Sequence, residues 1–384
     1  MSFSLYVHIP YCQSKCPYCD FNSYGVTTWP EQDYIRSLIA EMAHRAASAP
    51  WARERIKTVF FGGGTPSLFT PFSIGSVIEA AHRLFGLERN AEITLEANPG
   101  TVNQQKLLGF KAAGVNRISF GAQSFNSEIL KFLGRIHDVD ETRQAVKMAQ
   151  GAGFERLNLD LIFAVPGQRL EDVRRDLAEA AALGPDHISA YNLTFEEGTA
   201  FFVEMKRGRI RPLPTDDQAA MYEVVRTELP QRGYPRYEIS NYAPPDHEAR
   251  HNLSYWHAES YLGVGAGAHS CALEESFCHG RRWWNQRLPA GYMAQLKHNE
   301  GAEAGSEIIE KNTLEQEFVF LNLRLSAGFR LEEFRQRFGE TFDARFGNVA
   351  APLLDGGLLV RDRDRIFLTD RGLEVADSVF AEFI

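Results

Sequence analysis

The chain has 384 residues, 44% of them hydrophobic and 24% charged, which supplies enough apolar material for one large domain plus a smaller one and excludes intrinsic disorder. A formal net charge of −9 excludes global attraction to nucleic acid or anionic membranes, so an anionic ligand needs a local cationic pocket. The opening apolar stretch is too short for a secretion signal and no apolar run reaches membrane-spanning length, so a cytoplasmic protein without a transmembrane segment is expected. Of five cysteines, three stand between Cys12 and Cys19, where ligation of a metal or cluster fits better than a disulfide framework.

From residue 4 to about residue 195, short apolar or β-branched runs alternate with helix-period segments, the pattern of a parallel sheet covered by helices. The predicted strands are Leu5 to Ile9, Thr58 to Phe61, Glu92 to Glu96, Arg117 to Phe120, Asn158 to Phe163 and His187 to Asn192. The predicted helices are Glu31 to Ala47, Phe72 to Phe85, Gln104 to Ala113, Glu141 to Gly151 and Leu170 to Leu183. Six such units predict an α/β fold, a partial (β/α)6 TIM-like barrel. Each strand ends on a polar or glycine-rich feature: the cysteines, GGGTP, Glu96, Gln123, Asp160, then Tyr191 and Asn192. In such a barrel those ends open onto one face, where ligand chemistry collects.

A helix is expected near Asp216 to Gln231, after which the pattern loosens into an aromatic-rich stretch with HNLSYW, GVGAGAHS and the pair Trp283, Trp284. From about Asn312 the order reads helix, helix, a ribbon over GLLVRDRDRIFLT and a closing helix, a small winged-helix-like domain that is mostly helical. Its mixed charge argues for packing or partner contact over DNA binding. The expected units are a core barrel over 1–235, an irregular connecting segment over 236–305 and a C-terminal domain over 306–384.

In YVHIPYCQSKCPYCDF the spacing CxxxCxxC offers Cys12, Cys16 and Cys19 to one iron-sulfur cubane and leaves a fourth iron open to the amino and carboxylate groups of a methionine. Zinc is the rival, but a structural zinc wants four ligands, and only His8 or the distant Cys271 and Cys278 could complete the set. GGGTP after an apolar strand is a candidate cradle for a methionyl group. Glu96, Gln123, Arg135 and Asp160 suit a nucleoside read by hydrogen bonds and an amino-acid end read by charge.

CxxxCxxC after YxHIP, followed by GGGTP, resembles the radical S-adenosylmethionine (SAM) proteins of the HemN/HemW family, related to oxygen-independent coproporphyrinogen III oxidase, over nearly the whole chain. The resemblance implies a [4Fe-4S] cluster on Cys12, Cys16 and Cys19, with Tyr6, Gly63, Glu96, Gln123, Arg135 and Asp160 contacting SAM. It also matches Tyr18, Gly64 and Thr65 to a second SAM site, with Ile162 beside it. Two departures from the oxidase pattern count against decarboxylation of coproporphyrinogen: Phe21 replaces a fourth cysteine, and Tyr6 lies almost at the start, where the oxidase has an extension.

HNLSYW matches the HNxxYW motif of the heme-chaperone branch of that family and nominates His251 as a heme-iron ligand. The competing reading is a histidine packed in an aromatic cluster; His269 is a second candidate. Arg281 and Arg282 offer charge to heme propionates, or are simply a surface pair. The resemblance therefore implies a chaperone that binds heme and hands it to apoproteins such as respiratory cytochromes, with cluster and SAM in support and catalysis in doubt. Transient contact with membrane cytochromes and a homodimer are compatible with this. The rivals are the oxidase reaction, a radical SAM heme-modifying enzyme and a catalytically idle regulator.

Overall fold

In the computed structural model, residues 2–47, 50–274, 276–298 and 301–384 are described. The first apolar run forms strand β1 (Ser2–Ile9), and β2 (Arg55–Gly63), β3 (Leu87–Ala97), β4 (Arg117–Gln123), β5 (Arg156–Phe163) and β6 (His187–Asn192) follow in parallel, each beside its predecessor. Both faces of these strands are covered, which is why they read as near-continuous hydrophobic runs rather than alternating ones. The covering helices are α1 (Glu31–Ala46), α2 (Pro71–Phe85), α3 (Gln104–Ala112), α4 (Val139–Gly151) and α5 (Leu170–Ala182). Local chemistry starts several of them: Thr70 and Asn103 accept from the Ser73 and Lys106 amides, and Asp138 with Glu141 forms a capping box. All six expected strands and all five expected helices are present, with ends shifted by a few residues.

The stretch expected to pack irregularly instead extends the sheet. β7 (Asn241–Tyr242) pairs antiparallel with β6 at one edge. On the other side β8 (Tyr261–Val264) lies parallel to β1, and β9 (His269–Leu273), β10 (His279–Asn285) and β11 (Glu303–Glu310) continue antiparallel. The order from edge to edge is β11-β10-β9-β8-β1-β2-β3-β4-β5-β6-β7, an open sheet and hence a partial barrel. These added strands are short, glycine-bearing or, in β11, largely exposed, so they carry little hydrophobic periodicity. The helices Ser127–Phe132 and Ala200–Lys206 also escaped the periodicity, being under two turns long.

The C-terminal region has three helices before its ribbon, Lys311–Asn322, Leu331–Phe338 and Phe342–Asp355, where two were expected. The ribbon Leu359–Asp362 with Arg365–Leu368 gains a third strand, Phe329–Arg330. A second hydrophobic core, separate from the barrel's, is built on phenylalanines including Phe318, Phe334, Phe342 and Phe346.

Glu41, on α1 and 1% exposed, ties the extension to the barrel: its carboxylate accepts from the Gly265 amide (2.9 Å), Asn285 Nδ2 (2.6 Å) and the Tyr292 hydroxyl (2.6 Å). Burial raises its pKa, so the folded protein holds it closer to neutral than an exposed glutamate. Glu41→Ala strands three buried donors and is expected to cost about 3 kcal/mol in denaturant unfolding, while Glu41→Gln, which keeps the shape and an acceptor, should cost clearly less.

Candidate cofactor site

The end of β1 runs straight into the cysteine loop, and that loop is pinned to the end of β2 by main-chain bonds, Gly64 N to Ile9 O (2.8 Å) and Thr65 N to Tyr11 O (2.9 Å). The glycines of GGGTP are required by this approach. Gly63 has φ +108°, and a Cβ there would meet the His8 ring at 2.3 Å; a Cβ on Gly64 would meet Tyr11 O at 2.7 Å. The run thus closes protein against protein at the rim of the site.

The strand ends enclose a cavity of about 380 Å³ lined by Cys12, Cys16, Cys19, Tyr18, Gly63, Gly64, Thr65, Glu96, Gln123, Arg135, Asp160 and Ile162. Every residue singled out for cluster or SAM is there except Tyr6, which lies a layer deeper. Thr65 Oγ1 donates to Cys12 Sγ (3.4 Å), and Arg135 Nη1 donates to Cys16 Sγ (3.3 Å) and reaches the Tyr18 hydroxyl (3.4 Å). Arg135 is fixed by Nη2 to Gly121 O (3.0 Å). It comes from the loop after the unforeseen helix Ser127–Phe132.

Two buried polar atoms in the cavity wall, Gln123 Oε1 and Arg135 Nε, have no partner among the described residues, the condition expected of groups that bond a ligand. Gln123 sits on a bulge of β4 with φ +66°, a backbone cost that aims its amide into the cavity. Asp160 is held by Ser119 Oγ (3.0 Å) and Asn158 Nδ2 (2.8 Å). Sequence reasoning missed both holders, although Asn158 stands two positions before Asp160 and the period-2 rule puts them on one strand face. Glu96 accepts from the Gly63 amide (3.1 Å); burial, then the neighbouring Asp160 charge, pushes its pKa up to about 8.

The zinc alternative loses its completing ligands. His8 has Nδ1 bonded to the Tyr6 hydroxyl (2.9 Å) and Nε2 to Asn22 O (2.9 Å), Cys271 lines a different cavity, and Cys278 is exposed. Among the described residues no three His, Cys, Asp or Glu side chains converge closely enough for one ion.

His251 is not at the cavity. It is 1% exposed on the helix Arg250–Trp256, stacked on Phe60 at 5.0 Å, with Nδ1 bonded to Thr58 Oγ1 (2.8 Å) and Nε2 to the Tyr255 hydroxyl (2.9 Å). Burial lowers its pKa to about 3. Together with Tyr6 and Phe60 it fills the barrel interior beneath the cofactor cavity. Arg281 and Arg282 are also engaged: Arg281 pairs with Glu303, and Arg282 pairs with Glu307 (2.9 Å) and Glu317 (2.7 Å).

Residues 6–180 match the radical SAM superfamily and residues 309–375 match the HemN C-terminal domain. The heme chaperone HemW of Lactococcus lactis is 35% identical over 99% of this chain and 97% of its own, and HemW of Escherichia coli is 43% identical over 76% and 75%. The chain belongs to the HemW family. The crystallised coproporphyrinogen III oxidase HemN of E. coli, a radical SAM enzyme, shares the fold at TM-score 0.83 and 24% identity, covering 100% of this chain and 90% of that one. Radical SAM proteins such as the HemW family carry a [4Fe-4S] cluster and SAM, and the cavity fits them through three facing thiols and two orphaned polar atoms.

A carboxyl whose folded pKa is raised binds its proton more tightly folded than unfolded, so its contribution falls as pH rises between the two values. Without ligand, the protein is expected to lose stability from about pH 4.5 towards 8 through Glu96. Glu96→Gln should flatten that slope in denaturant midpoints; an unchanged slope would remove Glu96 as its source.

Proposed function

We propose that this chain is a heme chaperone, which binds heme and transfers it to apoproteins such as respiratory cytochromes. The observation that carries the reading is end-to-end similarity to proteins named heme chaperone, along both the chain and its relatives. Cys12, Cys16 and Cys19 hold the cluster, and Glu96, Gln123, Arg135 and Asp160 hold SAM, with Gly63 at the methionyl end; Tyr6 supports that site from below through His8. Tyr18, Gly64, Thr65 and Ile162, which the resemblance matches to a second SAM site, line the same cavity. The cluster, when reduced, supplies single-electron chemistry at the sulfonium. The Arg135 guanidinium beside Cys16 and Tyr18 offsets the thiolate charge that ligation creates.

Phe21 lines the same cavity, 60% exposed, and brings an apolar ring in place of the thiol that the oxidase pattern has. No helix among the described residues is long and apolar enough to cross a membrane, so contact with membrane cytochromes falls on their exposed faces. Heme ligation by His251, implied by HNLSYW, requires one of its two ring bonds, to Thr58 or to Tyr255, to break first.

Anaerobically reconstituted protein is expected to show a cubane by Mössbauer spectroscopy that the combined Cys12→Ser, Cys16→Ser, Cys19→Ser variant loses. The wild type should take up heme with a Soret band and deliver it to an apocytochrome. Failure of both uptake and delivery, or vinyl product from coproporphyrinogen III at catalytic turnover, would overturn the reading.

A further inference from the structure

A second cavity, of about 420 Å³, lies between the sheet extension and the C-terminal helices, within the range of roughly 300–1,000 Å³ that ligand sites occupy. Its walls are largely rings and aliphatic chains, among them Tyr261, Leu314 and Phe338. Tyr255 of HNLSYW forms part of the same wall, so the motif meets this cavity through its tyrosine and not through its histidine.

Two kinds of polar group interrupt the apolar lining. On β9, His269 and Cys271 are two residues apart, hence on one face of the strand, and both line the cavity. Cys271 is buried and His269 exposed, so the thiol is deep and the imidazole is at the mouth. The His269 ring stacks on Trp284 at 5.9 Å and 29°, and among the described residues neither nitrogen has a hydrogen-bond partner. That is the reverse of His251, whose two nitrogens are both engaged.

The charges differ in the same way. Arg282 is neutralised by Glu317 and Glu307, and Glu259 by Lys57. Arg337 remains: its guanidinium donates to His257 O (3.0 Å) and Ala258 O and packs on Phe277 at 4.3 Å, and among the described residues no carboxylate is within ion-pairing distance. Among the described residues the half-buried cation has only the Glu259 carboxylate, itself paired with Lys57, acting on it from beyond ion-pairing distance, and so can take a ligand carboxylate.

We propose that this second cavity holds the heme, with the macrocycle against its apolar walls, His269 as axial ligand and Arg337 facing a propionate. The assignment rests on the chaperone reading and names its cargo site.

Hemin titration of the full-length reconstituted protein tests it. His269→Ala should shift the Soret band and weaken binding roughly tenfold or more, and Leu273→Trp, which fills the cavity, should prevent binding while circular dichroism stays unchanged. Arg337→Gln should erase any preference for hemin over its dimethyl ester. Unchanged Soret position and affinity in both His269→Ala and Leu273→Trp would overturn the site while leaving the chaperone reading standing. A folded His251→Ala variant that alone loses the Soret band would also overturn it. A wild type that takes up no hemin would instead defeat the chaperone reading itself.

Discussion

Everything in the cofactor face depends on the burial of β1 in the middle of the sheet. The strand is hydrogen-bonded on both sides, to β2 from Ser2 through Ile9 and to β8 from Ser4 through Val7, and Leu5, Val7 and Ile9 are fully buried. A parallel strand between two parallel neighbours cannot slide by one residue without exchanging its apolar face, Leu5, Val7 and Ile9, for the face that carries Ser4, Tyr6 and His8. The cysteine loop that follows Ile9 therefore leaves the sheet at a fixed height. Because β2 to β5 run in the same direction, Gly63, Glu96, Gln123 and Asp160 arrive at that height too.

The close fit between the ends of β1 and β2 then explains the residue types at the rim. His8 occupies the space that a side chain at Gly63 would need, and its two nitrogens link Tyr6 to the backbone of the cysteine loop at Asn22. Burial lowers its pKa to about 4, so the link is a neutral imidazole over the whole physiological range. A charged side chain here would compete with Arg135 for the thiolates, whereas a neutral one positions the loop without adding to the field.

Much of this was legible in the sequence because it rests on local patterns. The six strands have long apolar runs, and CxxxCxxC and GGGTP are contiguous, so candidate residues for cluster and SAM could be named, and all but Tyr6 line one cavity. What was illegible depends on distant neighbours. β8 to β11 are short or exposed and become strands only because β1 offers an open edge for Tyr261–Val264 to join. Likewise, HNLSYW carries the same letters whether its histidine faces solvent, a ligand or Phe60, and only the folded helix Arg250–Trp256 decides among these. The pairing of Arg281 and Arg282 with Glu303, Glu307 and Glu317 was hidden for the same reason, since it needs β11 and the helix Lys311–Asn322 in place.

The buried histidine also connects the two cavities. From the cofactor side, Glu96 lies beside Tyr6 across Gly62, Tyr6 and Phe60 pack on His251, and His251 bonds Tyr255, which faces the second cavity. These are contiguous packed groups with little free volume, and close-packed interiors pass displacement from one side chain to the next. One imidazole serves both bonds, Nδ1 to Thr58 and Nε2 to Tyr255. In a family that keeps a cluster site and a heme-carrying role in one chain, that imidazole, bonded to Thr58 of β2 and to Tyr255 of its own helix, lies between the interior beneath the cofactor cavity and a residue that lines the second cavity.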